Sequence, residues 1–106
     1  TVKVTGDGLG GRCQHFALKV ASLMKPEDKF IVLAAGSDGT DGPTDAAGAI
    51  VDGLSKERMS ARGYDIEASL RTFNAYPALK EGGDLLVSGP TGTNVNDLIL
   101  VLVEND

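Results

Sequence analysis

The feature that most constrains this sequence is an uninterrupted apolar run, FIVLAA, at residues 30–35, which leads directly into a segment rich in glycine and aspartate. A run of this length without alternating polar positions is typical of a strand that is covered on both faces. Such strands occur in α/β domains, where helices pack on the sheet and the loops that follow the strands bind ligands. The run therefore predicts an α/β fold with a ligand site at the end of this strand.

Three further segments have strand patterns. Thr, Val and Lys alternate at residues 1–5, which indicates a half-exposed strand, and the apolar stretches at residues 84–88 and 98–103 indicate two more. With the run at residues 30–35, these segments predict a small single domain built on a mixed sheet of about four strands flanked by helices.

Helical patterns fill the space between the strands. Apolar residues recur at helical spacing over residues 13–24, and Pro26 ends that helix. Three further helices are predicted: a short one at residues 46–51, one capped by Ser55 and ending near Gly63, and one capped by Asp65.

The composition excludes several classes of protein. The chain has 106 residues and a net charge of −5, and it has no basic cluster, which argues against nucleic-acid binding. Its apolar runs are shorter than the roughly 20 residues that a membrane helix requires. The single cysteine rules out an internal disulfide and fits the cytoplasm. The missing initiator Met suggests that the chain was cut from a longer protein.

The first glycine-rich loop, GDGLGG at residues 6–11, precedes the first predicted helix. It matches the GxGxxG pattern, but the alternating strand before it and the short chain argue against a dinucleotide-binding fold. It also fails as a P-loop, because Arg12 and Cys13 stand where Lys and Ser or Thr are required. Arg12 lies at a helix N-terminus, where its forked donors either grip a carboxylate or phosphate or lie in solvent.

The second loop, SDGTDGPTD at residues 37–45, places three aspartates just past the predicted buried strand. Carboxylates beside an anionic substrate act as metal ligands or as a base, whereas Asp-Gly pairs also form ordinary turns. The position of Asp38 directly after the strand favours a functional role. Asp45 is expected to complement the dipole of the short helix that follows, and Asp41 fits either role.

The third loop, GPTGTNVND at residues 89–97, offers hydroxyl and amide groups and carries no charge until Asp97. Such groups orient a hydroxyl or a phosphate oxygen without fixing a proton. A hairpin connection is the alternative, but this loop is longer than a hairpin needs, which favours binding.

Two combinations that suggest nucleophilic catalysis do not hold. Cys13 and His15 cannot form a thiol–imidazole pair, because positions i and i+2 of a helix point about 200° apart. Cys13 lies on the apolar stripe and is expected in the core, and His15 is expected in solvent. Ser37 and Ser88 lack both a GxSxG frame and a histidine at usable spacing, so a hydrolase triad is not supported.

Three motifs in these loops resemble the signature stretches of the MOFRL domain: GGR-x-Q at residues 10–14, SDGTDGPTDAAG at residues 37–48 and GPTGTNVNDL at residues 89–98. The second and third are long and uncommon, and the resemblance runs over essentially the whole chain. That domain is the C-terminal part of two-domain glycerate kinases, which were historically also named hydroxypyruvate reductases. The resemblance implies one domain over residues 1–106, with the N-terminal nucleotide-binding domain missing.

The resemblance implies ATP- and magnesium-dependent phosphorylation of D-glycerate, or a related hydroxyacid, to 2-phosphoglycerate. Arg12 would hold a substrate carboxylate or phosphate. Asp38 would coordinate magnesium or take the hydroxyl proton, with Asp41 as a further metal ligand. The other expected substrate contacts lie in the first and third loops: Gly10, Gly11, Thr93, Asn94 and Asn96. The N-terminal domain would supply the rest of the site, so the isolated chain is expected to fold but not to turn over.

The first helix departs from the Gly-Gly-Arg-Asn-Gln-Glu that the family usually has there. Cys13 and His15 replace the Asn and the Glu, whereas Arg12 and Gln14 remain. Two other functions stay open. One is a non-catalytic module that binds an anionic metabolite through the same loops. The other is a fragment of an NAD(P)-dependent hydroxypyruvate reductase, which the GDGLGG motif and the older family name suggest.

Overall fold

The computed structural model describes residues 8–92 and 96–104. Helices and strands follow one another in the order α1 (Arg12–Leu23), β1 (Phe30–Gly36), β2 (Gly48–Val51), α2 (Ser55–Ala61), α3 (Ile66–Arg71), α4 (Ala75–Gly82), β3 (Leu85–Leu86) and β4 (Asp97–Val103). The strands form one sheet in the order β3-β2-β1-β4, and the helices pack against one of its faces. The predicted α/β class, with a sheet of four strands, is confirmed.

Every pairing between the described strands is antiparallel, whereas the sequence predicted a mixed sheet. In the centre, Leu33 of β1 lies opposite Ile50 of β2 and Leu100 of β4. The connection between β1 and β2, residues 37–47, contains no helix, and parallel neighbours need a longer crossover that is usually helical, so the two strands pair antiparallel. The strand predicted at residues 1–5 lies outside the described residues.

The helix predicted at residues 46–51 is wrong, because this segment forms β2. Its four residues carry Ile50 and Val51, which favour strands, and they pair with both β1 and β3. Gly48 fits between the strands because it has no side chain: a Cβ there would lie 1.8 Å from the carbonyl oxygen of Ala34. The hydrogen-bonded pairing of β2 with β1 and β3 outweighs the weak helical preference of these residues.

The helices position the first loop against the sheet. In α1 most of the predicted apolar stripe is buried, including Cys13, Ala17 and Ala21, whereas Phe16 is exposed. The cap predicted at the start of α3 is confirmed, since the Asp65 side chain accepts a hydrogen bond from the backbone N–H of Glu67 at 3.1 Å. Ser55, in contrast, is the first helical residue of α2, and its hydroxyl accepts from the N–H of Asp52. None of the helices within the described ranges is long and apolar enough to span a membrane.

Only one face of the sheet is covered by the described elements. Val32 and Ala34 of β1 point towards the helices and belong to the buried core, together with Ala49 and Val51 of β2. Of the alternate residues of β1, Ile31 and Leu33 are half-buried and Ala35 is buried. The expectation that β1 is buried on both faces therefore holds in full only for its helix-facing side.

The close contact at Gly48 predicts a large effect of one added methyl group. Gly48→Ala should lower the free energy of unfolding by about 3 kcal/mol, since the neighbouring strand backbone must move. Gly63→Ala is the matched control, because Gly63 has open space around it and only its positive φ of 88° opposes a side chain, at a cost of about 1 kcal/mol. Urea denaturation measures both, and an equal loss in the two variants would contradict the packing at Gly48.

Candidate functional site

The three glycine-rich loops meet at one end of the sheet. The second loop follows the last residue of β1, and the third loop ends at the first residue of β4. These two residues, Gly36 and Asp97, are partners in the β1–β4 register. The first loop reaches the same place because it leads into α1, which packs on β1 and β2. All three loops therefore lie at the end of β1, which is where the sequence predicts a ligand site.

Asp41 joins the second loop to the first. Its side chain is 4% exposed, and its two oxygens accept hydrogen bonds from the backbone N–H groups of Cys13 at 3.0 Å and Gln14 at 2.8 Å. Gly11, at the N-cap position of α1, has no side chain of its own for this purpose. Because the carboxylate caps the helix and complements its dipole, Asp41 has a structural role. A metal role for Asp41 stays a prediction.

Gln14 completes this contact from the helix. It is fully buried, and its amide nitrogen donates to the carbonyl oxygen of Asp41 at 3.2 Å and to the hydroxyl of Thr44 at 2.9 Å. The Thr44 hydroxyl in turn donates to the carbonyl oxygen of Asp41 at 2.8 Å. The middle of the second loop is therefore fixed by both backbone and side-chain groups of α1.

The glycines between these two loops permit a close approach. A Cβ on Gly11 would lie 2.3 Å from the carboxylate carbon of Asp41, so a side chain is excluded there. Gly42 has a φ of +64°, and a Cβ on it would lie 2.7 Å from the carbonyl oxygen of Gly10. A Cβ on Gly10 itself would make only an ordinary contact at 3.4 Å. Packing therefore explains Gly11 and Gly42, whereas it does not require glycine at position 10.

Ser37 joins the second loop to the third. Its N–H donates to the carbonyl oxygen of Asn96 at 3.0 Å, and its hydroxyl accepts from the N–H of Asn96 at 3.0 Å. Its carbonyl oxygen accepts from the hydroxyl of Thr91 at 2.6 Å. The loop-facing hydroxyl of Ser37 is thus a structural group, in agreement with the absence of a hydrolase pattern in the sequence. Two residues expected to bind substrate, Thr93 and Asn94, lie outside the described residues.

Arg12 joins the first loop to the third. Its Nε and Nη2 donate to the two carboxylate oxygens of Asp97 at 2.5 and 3.0 Å, which is a bidentate pair. Hydrogen bonding to Arg12 holds the pKa of Asp97 below its usual value. The Arg12 side chain remains 66% exposed. A guanidinium has five N–H donors, so among the described residues the pair with Asp97 leaves three of them for another anion.

Asp38 keeps one side of its carboxylate open. Its Oδ1 accepts the N–H of Thr40 at 3.0 Å, and within the described residues its Oδ2 accepts no hydrogen bond. The turn that follows is held close to the third loop, because Gly39 has a φ of +89° and a Cβ on it would lie 2.1 Å from the carbonyl oxygen of Gly89. In residues 8–92 and 96–104, no three His, Cys, Asp or Glu side chains are grouped to hold a metal ion.

Two expectations about neighbouring residues are wrong. Asp45 has no helix dipole to complement, because the next element is β2, and it accepts a hydrogen bond from the Tyr76 hydroxyl at 2.8 Å instead. This bond raises the pKa of Tyr76 and ties the second loop to α4. His15 is half-buried rather than in solvent, since its ring stacks on Phe73 at 4.8 Å between centroids, and burial lowers its pKa.

Sequence reasoning missed the contribution of Asp97, which it treated only as the end of the third loop. Asp97 is 85 residues away from Arg12 along the chain, and a single sequence carries no signal for a pair at that separation. The burial of Gln14 was also missed, because glutamine is seldom fully buried. The only sign in the sequence that Gln14 has a role was its place in the GGR-x-Q motif, two residues after Arg12.

The cap at the start of α1 gives a testable prediction. Asp41→Ala should lower the free energy of unfolding by about 2–4 kcal/mol, because it removes two hydrogen bonds and leaves buried N–H groups without acceptors. Asp45→Ala serves as the control, since Asp45 is exposed and makes one hydrogen bond. Urea denaturation measures the stability, and amide hydrogen exchange at Cys13 and Gln14 locates the effect. Unchanged exchange at these two amides would contradict the capping role.

Comparison with known proteins identifies the family. The model of the MOFRL family matches residues 1–97. A D-glycerate 2-kinase of Thermotoga maritima is 51% identical over 96% of this chain, and a putative hydroxypyruvate reductase of Agrobacterium vitis is 43% identical over 92%. The chain covers 24% and 22% of these two relatives. A crystal structure of glycerate kinase from T. maritima superimposes with a TM-score of 0.93 and 50% identity over 98% of this chain and 25% of that one. The chain thus spans about a quarter of its relatives' length, and it belongs to the MOFRL family.

Proposed function

We propose that this chain is the C-terminal domain of a glycerate kinase and forms the substrate-facing half of its active site. The observation that carries this proposal is the meeting of the three loops, which brings Arg12 and Asp38 to the same end of the sheet. A cationic group and an open carboxylate at one sheet end are what phosphoryl transfer to a hydroxyacid needs from this side. The relative named D-glycerate 2-kinase supports the substrate class.

Arg12 is the proposed anion-binding group, and it acts through its side chain rather than through the helix N-terminus. Two of the first N–H groups of α1, those of Cys13 and Gln14, are bound by Asp41 and are not available to a substrate. The positive charge for a substrate carboxylate or phosphate therefore comes from the three free donors of Arg12. Asp97 holds the guanidinium in one orientation, which limits the entropy lost when an anion binds.

Asp38 is the proposed magnesium ligand or general base. Magnesium in kinases is held by one or two carboxylates together with phosphate oxygens and water, so a single protein carboxylate with an open oxygen fits it. When bound, the ion would neutralise charge on the transferred phosphoryl group. Asp41 is the second proposed ligand, although both of its oxygens already accept N–H groups of α1.

The remaining substrate contacts come from neutral groups of the first and third loops. A Cβ on Gly10 would make only van der Waals contact with Ala75 at 3.4 Å, so packing does not account for this glycine, and Gly10 and the adjacent Gly11 are proposed as backbone contacts to substrate. Asn96 presents its side chain next to Asp97, whose N–H donates to its amide oxygen at 3.2 Å. Thr93 and Asn94 complete the proposed set.

The N-terminal domain of the full-length protein would bind ATP. The T. maritima relative has about three quarters of its length outside the region that this chain covers, which leaves room for such a domain. The buried, free Cys13 fits a reducing cytoplasm. Burial raises the pKa of its thiol to about 12, so the group stays protonated and takes no part in the reaction.

The assay of choice compares the full-length protein with the isolated chain. With ATP, magnesium and a panel of small hydroxyacids, the full-length protein should phosphorylate D-glycerate to 2-phosphoglycerate, and the isolated chain should not turn over. Omission of magnesium should abolish the reaction. The same preparation with NADH or NADPH and hydroxypyruvate tests the alternative that the A. vitis name suggests. Oxidation of NADH or NADPH by hydroxypyruvate, with no consumption of ATP in the presence of hydroxyacids, would reject the proposed kinase activity.

Substitutions in the loops test the two proposed roles. In the full-length protein, Arg12→Ala and Asp38→Asn should each lower kcat/KM at least about 100-fold, because each removes a charge that acts in the transition state. Arg62→Ala and Asp45→Asn are the matched controls, since both residues are exposed and neither has a proposed role. They should retain near-normal turnover. Near-normal turnover in the Arg12 or Asp38 variant would reject that residue's role.

A further inference from the structure

The sheet face opposite the helices is apolar, and we call it the bare face. The strand registers place nine residues on it, since they alternate with the core residues of each strand. All nine are uncharged and all but one are alanine, leucine or isoleucine: Ile31, Leu33, Ala35, Gly48, Ile50, Leu86, Leu98, Leu100 and Leu102. The composition is that of a core layer rather than of a solvated surface.

The β4 part of the bare face is exposed in the described structure, whereas Ala35 and Gly48 are buried and the other four residues are half-buried. On β4, the exposed fractions of Leu98, Leu100 and Leu102 are 48%, 44% and 58%. The exposure continues around the edge of the sheet, because Ile99 and Val101 on the other side of β4 are 52% and 55% exposed. A continuous apolar surface of this kind on a soluble protein marks an interface.

We propose that the bare face is the docking surface for the rest of the full-length protein, the part that makes up about three quarters of the length of the T. maritima and A. vitis relatives. This inference rests on the proposed role of the chain as one domain of a larger kinase. The uninterrupted apolar run at residues 30–35 has the pattern of a strand covered on both faces, but the described helices cover one. A layer from the preceding domain supplies the second cover.

The position of the bare face favours this partner over a second copy of the chain. The face ends at Leu98 and Ala35, which adjoin Asp97, the last residue of the third loop, and Gly36, the residue before the second loop. A domain seated on the face therefore lies beside the second and third loops, where a nucleotide-binding domain has to be for transfer to take place.

Hydroxyl-radical footprinting of the full-length protein tests this directly. The probe is the oxidation rate of Leu98, Leu100 and Leu102, and the internal reference is Leu23, which is 69% exposed at the end of α1. If the face is docked, the three β4 leucines should react at least about fivefold more slowly than Leu23, as expected for an interface core. If the face is not docked, the exposed fractions of the three leucines predict oxidation rates within about twofold of that of Leu23. Such rates would overturn the proposal.

A charge on the face provides a second test. Leu100→Lys in the full-length protein should raise the oxidation of Leu98 and Leu102 to the level of the Leu23 reference, whereas the matched variant Leu23→Lys should leave both protected. Leu18 and Leu79, which are fully buried in the core, report whether the domain stays folded. Protection that grows with protein concentration, checked by sedimentation, would show self-association and overturn the proposal. Protection without kinase activity would reject the proposed function and leave the docking surface standing.

Discussion

The contact between the Asp41 carboxylate and the first turn of α1 is the constraint on which the rest of the site depends. A buried carboxylate is costly unless its oxygens are hydrogen-bonded, and here both accept N–H groups at the positive end of a helix. The contact also fixes the sequence around it, because a side chain on Gly11 would collide with the carboxylate. Together with the hydrogen bonds of the Gln14 side chain, this interaction holds the first loop, with Arg12, beside the second, with Asp38.

This constraint divides the three aspartates of the second loop between different tasks. Asp41 points into the protein and caps α1, and Asp45 is bound by the Tyr76 hydroxyl. The Asp38 carboxylate accepts the N–H of Thr40 through Oδ1, and its Oδ2 accepts no hydrogen bond from the described residues. One loop can therefore be rich in carboxylates and still offer a single open one. The charge of the other two is balanced by hydrogen-bond donors of α1 and α4 rather than by a ligand.

Local patterns in the sequence predicted what depends on neighbouring residues. The stripe of α1, the apolar run of β1 and the cap at Asp65 were confirmed, because propensity and periodicity act within a few residues. The strand β2 and the Arg12–Asp97 pair were missed, because both depend on partners far along the chain. The role of two glycines was missed. Gly11 and Gly42 allow the first and second loops to pack against each other, whereas the loop motifs alone suggest that such glycines make room for a ligand.

The geometry links the docking surface to the site through the same two strands. β1 and β4 carry most of the bare face; β1 ends at Gly36, where the second loop begins, and β4 begins at Asp97, where the third loop ends. Strands in register transmit a displacement along their length because their ladder hydrogen bonds resist shear. A partner that covers the bare face would therefore also fix the separation of Asp38 from the Arg12–Asp97 pair. Under the proposed function, docking also aligns the proposed catalytic groups, which agrees with the expectation that the isolated chain does not turn over.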